Sequence, residues 1–144
     1  MKRLTLVIPA KDESKSFPRV LEDLDFVFCS RYAGNGGSDD DTFLTYSGNK
    51  IFTFSCNILF NLKISDVLFT YVMRKTNKYK ELVLKSNDFP FCVELPIKAK
   101  FKKFNLSSMP SYERSRFAGI KKINEFKDGF LILISILKIL VFRK

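Results

Sequence analysis

Apolar runs alternate with polar turns in the first part of the chain, which is typical of a protein that contains both strands and helices. Residues 4–8 form an apolar run that ends at Pro9, as expected for a buried strand of a parallel sheet. A polar turn follows, and residues 16–24 predict a helix with Ser16 as its N-cap and Pro18 in its first turn. Strand, polar loop and helix in this order open an α/β unit, in which ligands bind at the carboxyl end of the strand.

The middle of the chain continues with weaker patterns. Its Gly- and Asp-rich stretch at 34–41 predicts a loop, in which Asp39 and Asp41 spell Asp-x-Asp. This pair could hold a hard cation through carboxylate oxygens, or it could simply precede a helix, because Asp favours a helix N-terminus. The other predicted elements are a strand at 25–30, a helix at 43–62 that is interrupted at 48–49, a second helix at 64–79 and a short extended run at 89–93.

The last third of the chain is rich in cations. Residues 94–104 predict a basic amphipathic helix, and residues 105–109 predict an edge strand. A basic loop at 113–122 follows, hinged on Gly119. Arg offers a planar fork of donors and Lys a point charge, while Gly lets backbone N–H groups approach closely. The loop therefore suits an anion such as a phosphate, although a solvated turn between two elements would have the same composition.

The chain ends in an apolar stretch at 130–142, which is interrupted at Lys138 and followed by Arg143 and Lys144. The stretch is shorter than the roughly 20 residues that a membrane-spanning helix requires. Two interpretations remain open at this point. The stretch is either a helix of the protein core or a helix that lies on a membrane surface with cations at its end.

Composition narrows the possible chemistry. The 144 residues are enough for one domain with a sizeable core, and 46% hydrophobic with 28% charged residues describes an ordered globular chain. The chain has no His, which excludes His-based nucleophilic triads, His general bases and most transition-metal sites. A net charge of +10 favours anionic partners, namely nucleic acid, phosphorylated substrates or anionic lipid.

The cysteines and the N-terminus both indicate a reducing compartment. Cys29, Cys56 and Cys92 are odd in number, widely separated and surrounded by apolar residues. This pattern predicts buried free thiols, not a disulfide framework or a zinc site. The apolar run that follows Met1 is too short for a signal peptide, so we expect a cytoplasmic protein.

Six short stretches of the chain are similar, in order, to the motifs of one enzyme family. Residues 6–13 resemble its opening "VIPAYNE" strand and loop, and residues 26–32 resemble its "DVVxGSRY" strand and loop. The other four are similar to the "LPxVL" helix at 17–21, the "xSD" element at 64–66, "GFxFxxE" at 89–94 and "EvP…RxxGxSK" at 109–122. By these motifs the chain resembles the inverting family 2 glycosyltransferases, and among them the dolichyl- or polyprenyl-phosphate sugar transferases.

The resemblance implies a fold as well as a chemistry. It implies an α/β protein with a truncated, Rossmann-like sheet of the A-type nucleotide-sugar transferases, flanked by helices and followed by an amphipathic C-terminal helix. Residues 1–112 would be the truncated transferase domain. Residues 113–144 would be the basic loop and the apolar helix, packed on the domain or on the membrane surface.

The truncation lies at one junction. The family has a long segment between its first helix and the "GSRY" strand, whereas Leu24 directly precedes Asp25 in this chain. In the family that segment carries the Asp-x-Asp that coordinates Mg²⁺ or Mn²⁺ and the diphosphate. The resemblance therefore implies a metal cofactor for the family and the loss of its site in this chain.

The donor side of the site follows from the similar stretches at 6–13 and 26–32. By resemblance, Pro9, Lys11 and Glu13 would line the pocket for the nucleotide sugar. Lys11 stands where the family usually has Tyr, which changes the stacking expected at that position. Arg31 would lie near the sugar or the phosphates and is one of the predicted catalytic residues.

The acceptor side follows from the later motifs. By resemblance, Arg116 and Lys122 would clamp the acceptor phosphate, and Gly119 would permit the turn between them. Asp66 and Glu94 would contact or orient groups of the acceptor site, although as structural caps they would have no chemical role. The predicted catalytic set is therefore Arg31, Asp66, Arg116 and Lys122.

Three functions remain open from the sequence. The first is transfer of a sugar from a nucleotide sugar to a polyprenyl phosphate, with inversion, at the anionic cytoplasmic face of a membrane. The second is an inactive remnant that binds phospholipid or polyprenyl phosphate. The third is a small RNA-binding protein that uses Lys and Arg for phosphate contact and Phe for base stacking. Because the Phe residues fall mostly at core spacing and the charge is spread along the chain, we do not expect nucleic acid as the partner.

Overall fold

The computed structural model describes residues 23–115 and 124–142, and these residues form a mixed α/β structure. The predicted strand at 4–8 lies outside them, as do all but the last two residues of the predicted helix at 16–24. Within the described part of the chain, no helix is long and apolar enough to cross a membrane.

The centre of the fold is a small mixed sheet. This sheet has three strands, and a separate pair of short strands lies beside it. In chain order the strands are β1 (Phe26–Ser30), β2 (Gly37–Ser38), β3 (Val72–Arg74), β4 (Leu106–Pro110) and β5 (Tyr112–Glu113). All five residues of β1 are buried, and β1 is the central strand of the order β3-β1-β4. It pairs in parallel with β4 and antiparallel with β3. The short strands β2 and β5 pair in parallel close to the point where β1 and β4 end.

The described chain contains four helices, and two of them begin at a residue whose side chain caps the helix. They are α1 (Phe43–Phe60), α2 (Thr76–Lys80), α3 (Phe91–Phe101) and α4 (Glu125–Val141). α1 begins after Thr42, which forms a capping box with Thr45, and it ends at Asn61, whose φ of 52° is left-handed. The N-cap of α4 is Asn124, whose side chain accepts a hydrogen bond from the backbone N–H of Lys127.

The main hydrophobic core lies between one face of the sheet and three helices. Phe26 and Phe28 of β1 point to this face, whereas Val27 points to the opposite face and packs with Met73 in a smaller cluster. α1, α3 and α4 cover the larger cluster. Their buried apolar residues are Cys56 and Phe60 of α1, Val93, Leu95, Ile97 and Ala99 of α3, and Ile132 and Ile136 of α4.

Several predictions from the sequence are confirmed. The strand predicted at 25–30 is β1, and the edge strand predicted at 105–109 is β4, which lies at one edge of the three-stranded sheet. The three cysteines are free; Cys29 and Cys56 are buried as predicted, and Cys92 is partly buried. Burial raises the pKa of Cys56 to about 12 and, as the largest cause, that of Cys92 to about 11. The mixed α/β class is also confirmed.

The helix predicted at 64–79 is wrong. Residues 61–71 have no regular structure, residues 72–74 are β3, and only Thr76–Lys80 is helical. β3 pairs with β1 along its whole length, with Val27 opposite Met73. A short apolar run is compatible with either a strand or a helix. Residues 72–74 form a strand because they pair with β1, which is distant in the sequence.

The predictions for 43–62 and 89–104 need smaller corrections. α1 is continuous, so the predicted interruption at 48–49 is wrong. The extended run predicted at 89–93 is mostly helical, because α3 begins at Phe91, three residues earlier than expected, and Pro90 occupies its N-cap. α3 is not an amphipathic surface helix, since residues 93–97 are all buried.

Glu94 of α3 holds an irregular segment against the helix. Its carboxylate accepts hydrogen bonds from the backbone N–H groups of Lys85 (2.9 Å) and Ser86 (2.7 Å) and pairs with Lys98 at 2.6 Å. Burial would raise the pKa of Glu94, but these hydrogen bonds, led by that from Lys98, outweigh burial and lower the pKa. The anchoring role agrees with the structural alternative that the sequence left open for Glu94.

Replacing Glu94 by Gln removes this charge and keeps the shape of the side chain. Because folding lowers the pKa of Glu94, its stabilisation is present above the unfolded pKa of about 4.3 and is lost as the pH falls through the folded pKa. We expect E94Q to lower the free energy of unfolding at pH 7 by about 1–3 kcal/mol, with the deficit shrinking toward acid pH. Urea unfolding at a series of pH values measures the deficit.

The control for this series is Glu81→Gln, which breaks an exposed ion pair with Lys78. We expect a change below about 1 kcal/mol for this control at every pH. An E94Q deficit that stays constant from neutral to acid pH would show that the charge of Glu94 contributes nothing to the fold.

Candidate functional site

The candidate site lies at the carboxyl ends of the two parallel strands. β1 ends at Ser30 and β4 ends at Pro110, which pair with each other, and the N–H of Ser111 donates to the carbonyl of Ser30 at 2.8 Å. Arg31 follows β1 directly, and Glu113 lies on β5 after β4. The chain order therefore places Arg31 and Glu113 at one edge of the sheet, where open α/β sheets bind ligands.

Arg31 and Asp66 form a buried, two-pronged ion pair. Arg31 donates from Nε to Oδ2 of Asp66 at 2.8 Å and from Nη2 to Oδ1 at 3.2 Å. The backbone N–H of Arg31 also donates to Oδ2, at 3.3 Å. Arg31 is 8% exposed and Asp66 is fully buried. Two parallel charge-assisted hydrogen bonds fix both side chains and join two stretches that are 35 residues apart in the chain.

The third nitrogen of the guanidinium meets two further carboxylates. Nη1 lies 3.3 Å from Oδ1 of Asp41 and 3.3 Å from Oε2 of Glu113. The rings of Phe69 and Tyr32 lie at 4.8 and 5.1 Å from the guanidinium carbon and cover it. Burial would lower the pKa of Arg31, but its hydrogen bond and charge interaction with Asp66 outweigh burial and raise the pKa. Arg31 is therefore a fixed cation.

Tyr32 extends this network toward α1. Its hydroxyl donates to Oδ2 of Asp41 at 2.6 Å and accepts from Nδ2 of Asn49 at 2.8 Å. Tyr46 packs edge-on against the ring, and the ammonium of Lys50 lies 4.6 Å from its centre. Burial, followed by the hydrogen bond to Asp41, raises the pKa of Tyr32. The phenol therefore stays protonated and acts as a hydrogen-bond donor.

A cleft of about 470 Å³ opens beside this network. It lies between residues 34–37, which we call the glycine turn, and the start of α1. The turn requires its glycines. A Cβ on Gly36 would lie 2.6 Å from the carbonyl oxygen of Ser30, and a Cβ on Gly37 would lie 2.7 Å from the ring of Tyr112. The polar groups that line the cleft are Arg31, Tyr32, Ser38, Asp41, Thr42, Tyr46 and Lys50.

A smaller, mostly apolar cavity of about 180 Å³ is also lined by Arg31. It lies between α1 and α4, and its walls include Phe52 of α1, Ile132 of α4 and Phe89 before α3. Phe89 belongs to the stretch that resembles "GFxFxxE". The cavity thus contains both Phe89 and Arg31 in its lining.

The structure brings together two residues of the predicted catalytic set, Arg31 and Asp66, and does so by direct contact. Arg116 and Lys122, and the predicted nucleotide-pocket residues Pro9, Lys11 and Glu13, lie outside the described residues.

The described carboxylates do not fit the Mg²⁺ or Mn²⁺ that the resemblance implies. Asp41 and Asp66 are turned toward Arg31, and Asp39 accepts a hydrogen bond from the hydroxyl of Tyr112 at 2.5 Å. Within 23–115 and 124–142, no three Asp, Glu or Cys side chains are grouped so that they could hold a metal ion. The Asp39–Asp41 pair is thus not a cation site in this structure.

The sequence did not single out Tyr32, Asn49 or Glu113 as hydrogen-bonding residues of a site. It predicts Asn49 in a helix interruption and Glu113 in the basic loop. A signal for Asn49 was present, because Asn49, Thr53, Cys56 and Phe60 are spaced as one helical face, and all four are buried. A polar residue at the first position of a core face predicts a buried hydrogen bond. Glu113 gave no such signal, since its place beside Arg31 depends on the pairing of β2 with β5.

Replacing Asp66 by Asn tests the ion pair. The substitution weakens the two-pronged pair, although Asp41 and Glu113 still pair with Arg31, so we expect the free energy of unfolding to fall by about 1.5–3 kcal/mol. Denaturant unfolding at neutral pH measures the loss. The matched control is Asp39→Asn, an exposed carboxylate in the same loop system, for which we expect a change within about 0.5 kcal/mol. Equal losses in the two variants would contradict a special role for the pair.

Comparisons of the chain with protein-family models, with curated proteins and with solved structures found no match. The resemblance to family 2 glycosyltransferases therefore stays a prediction from the sequence. In the structure, Arg31 contacts Asp66 and lines the same cavity as Phe89.

Proposed function

We propose that this protein transfers a sugar from a nucleotide sugar to a polyprenyl phosphate, with inversion, at the cytoplasmic face of a membrane. The observation that carries the proposal is the contact between Arg31 and Asp66 at the carboxyl end of β1. It joins two stretches that resemble separate motifs of one transferase family. In this proposal the mixed sheet is what remains of the A-type nucleotide-sugar transferase sheet after the internal truncation.

The proposed sugar transfer does not require a strong general base from the protein. The phosphate of the acceptor is already ionised, so its oxygen attacks the anomeric carbon while the bond to the nucleotide diphosphate breaks, and no strong general base is needed. Rate enhancement then comes from positioning and from cations near the leaving diphosphate. By the resemblance, Arg116 and Lys122 would hold the acceptor phosphate in position for this attack.

Arg31 has a positioning role in this proposal. Its guanidinium already donates to Asp41, Asp66 and Glu113, so a phosphate would have to displace a carboxylate to reach it. Three carboxylates around one cation leave an excess of negative charge, which does not attract an anion. The Arg31–Asp66 pair is instead suited to hold the glycine turn and the cleft in shape.

The membrane location is supported by exposed apolar residues on two neighbouring helices. α1 and α4 run side by side in the same direction, since Thr45 donates to Glu125 at 3.2 Å and Phe52 lies against Gly129. On their outer sides, each helix carries a row of large apolar residues that are 45–87% exposed: Phe43, Ile51, Phe54 and Ile58 of α1, and Phe126, Phe130, Leu133, Leu137 and Val141 of α4. Exposed rows of this size are typical of surfaces that meet a membrane or a partner.

A second candidate function is binding of polyprenyl phosphate without transfer. The observation that favours it is that the carboxylates of Asp41, Asp66 and Glu113 all accept hydrogen bonds from Arg31. These three described carboxylates are therefore not arranged to coordinate a metal ion together. The apolar rows of α1 and α4 would serve this function equally well.

The two candidates are separated by one assay on the full chain. Purified protein is incubated with undecaprenyl phosphate in detergent, a panel of nucleotide sugars and Mg²⁺ or Mn²⁺, and the glycolipid product is separated by chromatography. We expect product with at least one nucleotide sugar. We expect R116Q/K122Q to lower the rate at least about tenfold, since two charge-assisted contacts to phosphate are lost. The charge-matched control K63Q/K80Q should keep the parent rate.

Binding of farnesyl phosphate, measured by titration calorimetry, completes this test. Binding without any product would establish the second candidate in place of the first. The absence of both product and binding would overturn both candidates. Equal losses in R116Q/K122Q and K63Q/K80Q would show that net charge alone, not the basic loop, attracts the phosphate.

The membrane location has its own test. Ile132 and Ile136 of α4 belong to the core, so deleting the helix would unfold the protein, whereas F130S/L133S/L137S changes only exposed residues. We expect this variant to float with phosphatidylglycerol vesicles at least about tenfold less than the parent, because three apolar side chains no longer leave water. Tyr71→Ser, which removes an exposed ring elsewhere, should float normally. Unchanged flotation of the triple variant would exclude α4 as the contact.

A further inference from the structure

A third depression lies away from Arg31, at the C-terminal ends of α3 and α4. We call it the lysine groove. It has a volume of about 810 Å³ and runs between residues 82–85, the end of α3 and the end of α4. Its apolar floor includes Leu82, Phe101, Ile139 and Phe142. None of its lining residues is shared with the two cavities that meet at Arg31.

The lysine groove carries a net positive charge. Glu94 and Lys98 lie in its wall but neutralise each other, and Lys98 also donates to the carbonyl of Val83. The other three cations of the lining are Lys85, Lys102 and Lys138. No ion pair between described residues includes any of these three. Lys102 and Lys138 lie at helix C-termini, where a partial charge of about −0.5 at each helix end offsets only part of the three positive charges.

The apolar part of the groove is open to solvent. The side chain of Phe101 is 42% exposed and that of Phe142 is 73% exposed, although both are large rings. A simple inorganic anion would leave these rings in water, and a purely apolar ligand would leave three lysines unpaired. The lining thus matches a ligand with an anionic group and an apolar chain. Its volume is within the roughly 300–1,000 Å³ that is usual for small-molecule sites.

We propose that the lysine groove binds one anionic phospholipid, with the phosphate against Lys85, Lys102 and Lys138 and an acyl chain against Phe101, Ile139 and Phe142. The choice of a membrane lipid rests on the proposed membrane location and on continuity. Phe142 directly follows Val141, the last residue of the exposed row on α4. A lipid drawn from the surface that this row contacts enters the groove from its end.

The test uses a lipid that dissolves as a monomer, so that binding does not require a membrane. Dihexanoyl phosphatidylglycerol, below its micellar concentration, is titrated into the full chain by calorimetry, with dihexanoyl phosphatidylcholine as the zwitterionic comparison. We expect the anionic lipid to bind at least about tenfold more tightly, because lysines near an anionic headgroup each contribute favourably.

Two triple variants separate the groove from overall charge. K85Q/K102Q/K138Q should lower the affinity for dihexanoyl phosphatidylglycerol at least about tenfold. K63Q/K80Q/K127Q removes the same charge from exposed lysines that do not line the groove and should bind like the parent. Equal losses in the two variants would overturn the proposal. Circular dichroism and urea unfolding confirm that both variants are folded.

The apolar half of the site is tested with Phe142→Ser, which changes an exposed ring. We expect a several-fold loss of affinity for the short-chain lipid, in line with removal of one apolar contact. If inorganic phosphate displaces the lipid at equal concentration, or if phosphatidylcholine binds as tightly as phosphatidylglycerol, the groove is not a phospholipid site.

Farnesyl phosphate distinguishes this site from the proposed acceptor site. If it binds K85Q/K102Q/K138Q normally but R116Q/K122Q weakly, the acceptor site is separate from the groove. Loss of phospholipid binding in the groove variant alone then supports the groove independently of sugar transfer. If the groove variant loses farnesyl phosphate and R116Q/K122Q does not, the basic loop is excluded as the acceptor clamp while the groove proposal stands.

Discussion

The buried ion pair between Arg31 and Asp66 is the constraint on which the site depends. Asp66 lies in an irregular segment with no helix or strand of its own, so its position comes from side-chain and backbone hydrogen bonds to distant residues. Thr53 of α1 accepts the N–H of Val67 at 3.1 Å, and Arg31 holds the carboxylate itself. Removing Arg31 would leave the fully buried carboxylate of Asp66 without its cation, which is more costly than never having buried the pair. The site is therefore specified by electrostatics as much as by packing.

The same electrostatics decide what the site can attract. Arg31 was expected near the phosphates of a substrate, yet its guanidinium is surrounded by carboxylates and aromatic rings. Among the described residues, Lys50 lies over the ring of Tyr32, and three lysines of the lysine groove form no ion pair with another described residue. In the proposal for the lysine groove, an anionic ligand therefore binds away from Arg31.

The elements that could be predicted from sequence are those whose signals are local. β1 and β4 are bounded by turn residues, and α1 has helical spacing that is clear apart from Gly48. The sequence predicts an interruption at that glycine, but α1 is continuous there, and a Cβ at Gly48 would meet nothing within 4 Å. Residues 61–71 could not be predicted, because their backbone groups form hydrogen bonds with side chains outside the segment. The side chain of Asn57 bonds both the N–H and the carbonyl of Ile64, and the hydroxyl of Ser108 accepts from the N–H of Ser65. Likewise, Glu113 reaches Arg31 only after β2 and β5 have paired.

α4 has two different surfaces, and this has a consequence for orientation. Ile132 and Ile136 fix one side of the helix in the core, while Phe130, Leu133 and Leu137 face outward. A helix held in this way cannot turn its apolar residues toward a bilayer independently of the domain. Any lipid surface that it touches must therefore meet the folded protein in a limited range of orientations, with α1 alongside α4. The angle at which the cleft beside Arg31 faces that surface is then a property of the fold, set before any ligand arrives.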